Sequence, residues 1–161
     1  MPQEELERLI GRLRSERDWV SWDEAKVKQG VIEPVLRRLG WDPEDLHEVE
    51  PEYSVGTDRV DYALRIFGSP KVFLEAKKGQ EELAQHEEQL LKYAFSQGVP
   101  LAGLTNGARW WMYLPTAGGT WDQRKFYSID IFEQDLTEVC SKFFQFLSRQ
   151  EVASGAAVTT A

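Results

Sequence analysis

Leu6, Leu9, Ile10 and Leu13 recur at helical spacing within residues 3–17, giving one narrow apolar stripe on an otherwise charged segment. That stripe packs either on its own domain or on a second copy of the chain. A second helix is predicted from Ser21, because Ser21-Trp22-Asp23-Glu24 fits a capping box in which Glu24 reaches back to the first free N–H. Ala25, Val31, Ile32, Val35, Leu36 and Leu39 form its inward face, and Gly40 ends it. Pro34 should kink it, since the proline ring collides with the preceding turn. The pattern then changes to alternation. His47–Val55, Asp58–Phe67 and Lys71–Lys77 read as strands, with Gly68-Ser69-Pro70 turning the second into the third. Residues 81–96 return to helical spacing, closed by Gly98 and Pro100. Leu101–Thr105 is a short apolar strand, and Asn106-Gly107 is a strong hairpin turn into a strand over 109–114. A last strand is predicted over Lys125–Ile131 and a Phe-rich helix over Leu136–Leu147. This order predicts an α/β (α+β) domain over residues 1–150, with a central mixed β-sheet flanked by helices. Residues 151–161 carry few anchoring side chains and are expected to form a disordered tail.

The chain has 161 residues, 42% of them hydrophobic and 29% charged, which suits one domain with a single good core. No apolar run is long enough to cross a bilayer, so no membrane association is expected. The one cysteine, Cys140, lies in an apolar helical stretch and reads as core; with no disulfide to make, a reducing cytoplasm is the expected location. A net charge of −8 argues against a non-specific nucleic-acid coat protein. It leaves room for a locally positive cleft, or for one made positive by bound divalent ions.

Chemistry concentrates on the second and third strands. Alternation puts Val60, Tyr62, Leu64 and Ile66 on one face and Asp61 on the other. Glu75 and Lys77 share a face of the third strand, roughly 7 Å apart. The short turn makes the two strands antiparallel neighbours and can bring Asp61 beside Glu75. Two adjacent carboxylates repel and are costly in a partly buried cleft, and a divalent cation resolves the conflict. Oxygen ligands with room for water suit magnesium, which manganese can replace. A lysine beside them can stabilise charge on a phosphate or help deprotonate a water. The competing reading is a solvated strand face with weak ion pairs. His86 reads as a surface histidine rather than a ligand, and His47 has no partner pattern.

Asp61 followed by Glu75-Ala76-Lys77 resembles the PD-(D/E)xK nuclease signature. The flanks look like the N-terminal nuclease domain of type I restriction enzyme R subunits and their stand-alone relatives. Asp23-Glu24-Ala25 with the segment Val31 to Asp42 is similar to that family's opening helix. Arg59 to Leu64 and Leu74 to Lys78 look like its catalytic strands, Gln89 to Tyr93 matches its QxxxY motif, and Leu104-Thr105-Asn106-Gly107 matches a strand end common there. The resemblance spans roughly residues 21–114. It implies a restriction endonuclease-like fold and a magnesium-dependent endonuclease acting on DNA. Asp61, Glu75 and the Ala76 carbonyl would hold the metal, Lys77 would act on the attacking water or the phosphate, and Glu24 would border the site. Gln89 and Tyr93 would contact the DNA backbone or support the site. Two departures stand out. Val60 occupies the place of the signature's proline, and no GxxxxGK[ST] loop is present, so the chain is expected not to translocate DNA by itself: it acts alone, works with a separate motor or specificity subunit, or keeps the fold for another purpose.

Two other functions stay open on sequence alone. One is a nuclease-like module that binds nucleic acid or assembles with a partner without cutting. The other is a self-associating structural domain, a homo-oligomer joined through the Leu6-Leu9-Leu13 stripe or through Trp110, Trp111 and Trp121.

Overall fold

The alternating segments build one six-stranded sheet in the order β1-β2-β3-β4-β5-β6. The computed structural model describes residues 1–161. The strands are β1 (Val49–Val55), β2 (Asp58–Ile66), β3 (Ser69–Ala76), β4 (Leu101–Thr105), β5 (Arg109–Tyr113) and β6 (Lys125–Asp130). All neighbours are antiparallel except β3 and β4, which run parallel, so the sheet is mixed as expected. A parallel pair needs a crossover, and α4 (Glu87–Ser96) lies within it.

Helices cover both faces. On one side lie α1 (Pro2–Ser15), α2 (Glu24–Val27), α3 (Glu33–Arg38) and α5 (Leu136–Leu147), over a core that includes Ile10, Val31, Leu36, Tyr62, Leu74, Trp110 and Phe143. On the other side α4 packs Leu90, Leu91 and Ala94 onto Phe73, Ala102 and Leu104. The α1 stripe is spent inside the chain, because Leu6, Leu9, Ile10 and Leu13 are all buried and α1 packs on α3 and α5. Trp110 is also buried, stacked edge-on against Phe143, which removes it from any self-association surface. No helix is long and apolar enough to cross a membrane.

Several local expectations change. The second helix is capped by Asp23, whose side chain accepts from the Lys26 N–H, rather than by Ser21. Ser21 closes a short 3₁₀ turn instead, and the capping box never forms, which leaves the Glu24 carboxylate free for other contacts. Ala25 is exposed rather than inward-facing. Pro34 does not produce a simple kink. A π-helical segment, Lys28–Ile32, precedes it, and the Glu33 N–H reaches back five residues to the Lys28 carbonyl. The widened turn absorbs the clash a proline ring would make with an α-helical carbonyl. The predicted helix over 81–96 is regular only from Glu87, after a 3₁₀ turn at Ala84–His86.

The tail differs most. Where the sequence predicts disorder, α6 (Arg149–Ser154) and α7 (Ala156–Thr159) form, and Val152 and Ala157 join the main core. Ser148 caps α6, and the Arg149 N–H donates to the Leu39 carbonyl at 2.9 Å. Two apolar side chains therefore sufficed to anchor a segment of mostly small residues. Truncation after Ser148 is expected to lower folding stability by roughly 2 kcal/mol, about the value of one buried valine; urea unfolding checks it, and an unchanged midpoint would mean the tail adds nothing.

Candidate active site

The site begins where two strands separate. Tyr62 opposite Leu74 is the last regular pair of β2 and β3 on this side, and the next residues in register are Asp61 and Glu75. Beyond Tyr62 the ladder is completed by side chains. The Asp61 N–H donates to Glu75 Oε1 at 3.0 Å, and the Ala76 N–H donates to Asp61 Oδ2 at 2.8 Å. Each carboxylate thus holds a backbone donor of the opposite strand, which fixes both acids with their remaining lone pairs facing the gap.

The alternation expected of β2 fails at this point. Tyr62, Leu64 and Ile66 pack in the core beneath α1–α3, whereas Val60 joins the opposite core with Ala63 and Phe73. Across the ladder Pro51 pairs with Tyr62 and Tyr53 with Val60, but Glu52, which lies between them, sits at a φ of 52°. A non-glycine residue in the left-handed region breaks the pleat, so the faces exchange on either side of Asp61.

Two ammonium groups converge on the acids. Lys28 Nζ donates to Asp61 Oδ1 at 2.8 Å and lies 3.9 Å from Glu52, while Lys77 Nζ stands 3.8 Å from Glu75 Oε2. Asp61 and Glu75 are each only 14% exposed, so the groups interact with little screening. Burial first, and then the hydrogen bond and charge of Asp61, push the Glu75 carboxyl up to about 8. Burial alone would lower the Lys28 ammonium, but the hydrogen bond and charge of Asp61 override it and leave Lys28 raised. Lys28 is the residue that sequence reasoning passed over. Its signal was its inward phase on the helix one turn after Glu24, which was visible but had no motif attached. Glu33 also reaches the sheet, where it accepts from the Tyr62 hydroxyl at 2.8 Å.

Glu24 enters from the helix start. With Lys77, Lys78, Glu81 and His86 it lines a cavity of about 310 Å³, which meets the acid pair only through Lys77. Gly79 allows this closeness: a Cβ there would lie 1.9 Å from the Val20 carbonyl oxygen, and its own N–H donates to the Trp22 carbonyl. The β3 exit is thereby held against the entry to α2. His86 Nε2 lies 3.3 Å from Glu81, a surface pairing rather than a ligand set. Gln89 and Tyr93 share one face of α4, the Gln89 amide donating to the Tyr93 hydroxyl at 2.7 Å. Burial first, then the hydrogen bond and charge of Asp58 and last the charge of Glu75, raise the Tyr93 phenol.

The donor set for a cation is small. No group of three or more His, Cys, Asp or Glu side chains converges anywhere in the chain. What is present is two carboxylates in register, Glu75 raised first by burial and then by Asp61, with a main-chain carbonyl adjacent. That set fits an ion which accepts one or two carboxylates and keeps several waters, as magnesium does. It does not fit a closed zinc site.

Residues 54–121 match the model of the family described as Type I restriction enzyme R protein N terminus (HSDR_N). A type II restriction enzyme and methyltransferase of Escherichia coli, RM.Eco57I, is 27% identical over 123 residues, covering 65% of this chain and 12% of that protein. Two solved structures share the fold. A fragment described as an HsdR subunit of a type I restriction enzyme from Vibrio vulnificus YJ016 superposes with a TM-score of 0.50 at 22% identity, over 64% of this chain and 24% of that one. The type IIG restriction endonuclease BpuSI gives 0.61 at 16% identity, over 85% and 18% respectively. The chain therefore spans an eighth to a quarter of the length of these relatives. The resemblance to type I R subunits and the restriction endonuclease-like fold, both expected from the sequence, are borne out.

The raised Glu75 has a consequence in the metal-free protein. A carboxyl whose folded value is raised contributes stability fully present below its unfolded value of about 4.5 and lost as pH rises through about 8. In the presence of a chelator, the urea midpoint of the native chain is expected to fall across that window relative to Glu75→Gln. Parallel curves for the two proteins would contradict it.

Proposed function

We propose that the chain is a divalent-metal-dependent endonuclease domain that hydrolyses DNA phosphodiester bonds. The observation that carries this reading is the cross-strand acid pair, Asp61 and Glu75, locked by each other's strand N–H groups with Lys77 3.8 Å from Glu75. The match to the R protein N terminus supports it, since that match covers both strands of the pair.

Magnesium, or manganese in its place, would be held by Asp61, Glu75 and the Ala76 carbonyl and would supply Lewis-acid polarisation of the scissile phosphate. The side chains do the rest. Burial and the charge of Asp61 raise the Glu75 carboxyl, and a bound cation would favour its ionised form. Lys77 presents its ammonium beside Glu75, where it stabilises charge developing on the phosphate as a water attacks phosphorus and the bond to the leaving oxygen breaks. Lys28 holds the Asp61 carboxylate in one orientation. Glu24, which lines the same cavity as Lys77, would accept a proton from the attacking water. Gln89 and Tyr93 lie on the flank where the nucleic-acid backbone would pass. Translocation and sequence choice would come from a partner or from further domains of the kind that make up the rest of the longer relatives' length.

A second reading has one observation in its favour. Lys28 Nζ at 2.8 Å already neutralises Asp61, so the acid pair is balanced without a cation, as in a nuclease-like module that binds without cutting. Cleavage of supercoiled DNA in magnesium or manganese separates the two. Asp61→Ala, Glu75→Ala and Lys77→Ala are each expected to reduce the rate by at least about 10²-fold, the usual effect of losing one transition-state contact, with folding retained by circular dichroism. Full activity in Lys77→Ala, or no cleavage by the native chain, removes the hydrolase reading and leaves the binding module.

A further inference from the structure

The chain has 27 acidic and 19 basic residues, yet four arginines gather around one concavity far from the acid pair. The stripe of α1 faces inward, which turns Arg8 and Arg12 outward; being four apart, they stand side by side with Cβ atoms about 5–6 Å apart. The packing of α3 on α1 brings Arg37 and Arg38 to the same place. These four, with Leu9 and a single carboxylate, Glu5, line a cleft of about 550 Å³. A second hollow of about 750 Å³ shares Glu5, Arg37 and Arg38 with it and adds Arg149. None of the four arginines has a carboxylate within the 4.0 Å that defines an ion pair, although nine such pairs form elsewhere.

Like charges held together on a concave surface repel, and the arrangement is relieved by an anion. Guanidinium groups suit one anion especially well, since their planar fork matches phosphate oxygens in a bidentate way. The cleft is much larger than a single phosphate, and the cations come from two helices, which suits a chain of phosphates. The same helical layer connects this cleft to the acid pair. Lys28 at the site and Arg38 at the cleft lie on one helical rod, about 15 Å apart at 1.5 Å per residue. That distance spans about four or five phosphates of one strand at 3.4 Å each.

We propose that the arginine cleft between α1 and α3 is a second nucleic-acid contact, which grips the phosphodiester backbone some four or five nucleotides from the reacting phosphate; this rests on the nucleic-acid reading of the acid pair. An acidic protein segment is the other chemistry that four arginines could take.

The test is fluorescence anisotropy of a labelled DNA duplex with the full chain in chelator, so that binding is read without cleavage, across a salt series. The native chain is compared with Arg8→Ala, Arg12→Ala, Arg37→Ala and Arg38→Ala combined, and with the same four changed to Lys. Unfolding midpoints confirm that all are folded. The alanine variant is expected to bind at least about tenfold more weakly, with the slope of log affinity against log salt reduced by about 0.9 for each lost contact. The lysine variant should recover much of the affinity and the whole slope. Equal affinity and slope in the alanine and native chains overturn the proposal, whatever becomes of cleavage. So does a native chain that binds polyglutamate but no duplex, which assigns the cleft to an acidic protein. A native chain that binds through the cleft but does not cut in magnesium keeps this proposal and removes only the hydrolase reading.

Discussion

Where β2 and β3 part beyond Tyr62 and Leu74, two backbone N–H groups lose their ladder partners at the edge of the core. A buried donor without an acceptor costs about 1–3 kcal/mol, so something must take their place. Here the side chains of Asp61 and Glu75 do so reciprocally. The exchange has two effects at once. It ends the strand pairing without leaving orphan donors, and it holds two carboxylates in a partly buried gap where burial and the charge of Asp61 raise the cost of ionising Glu75. The rest of the site follows from this conflict. Lys28 reaches in from the helical layer to meet Asp61, Lys77 approaches Glu75 from the end of β3, and Glu75 keeps its proton to a pH well above that of an ordinary glutamate.

The helical layer is shaped to serve that gap. Pro34 forces a widened turn, Lys28–Ile32, and Lys28 is its first residue. Gly79 lets the chain leaving β3 lie against Val20 and Trp22, which closes Glu24 and Lys77 around one small cavity. Asn106 links the β4–β5 turn to the same region, its amide donating to the Glu81 carbonyl while its carbonyl oxygen accepts from the Ala108 and Arg109 N–H groups. Rigid packing beneath and main-chain contacts at the rim keep the charged groups from relaxing apart.

Much of this was legible in the amino-acid order. The hydrophobic periods gave the six strands to within about two residues, and the turn signal at Gly68 made Asp61 and Glu75 neighbours, although Ser69 and Pro70, expected in that turn, already pair with β2. What escaped was set by contacts between distant segments. Val60 changed sides because Glu52, on another strand, adopted a left-handed backbone. Lys28 gained its importance from a carboxylate 33 residues away. Asp23 displaced Ser21 as a cap because the preceding segment closed into its own 3₁₀ turn. The tail folded because Val152 and Ala157 found space in a core that no local pattern reveals. Periodicity reports which face is buried; it does not report where the pleat breaks or what arrives from across the chain.

Asp61 and Glu75 are in register as an observed fact, and their role as ligands of one ion is the proposal on which the enzymatic reading turns. Crystals grown with manganese, with anomalous scattering recorded at its edge, address it without reference to activity. The expected result is a single anomalous peak within about 2.0–2.6 Å of a carboxylate oxygen from each acid and of the Ala76 carbonyl, with Lys28 moved off Asp61 Oδ1. A Lys28–Asp61 pair unchanged in saturating manganese, with no peak between the two strands, would contradict it.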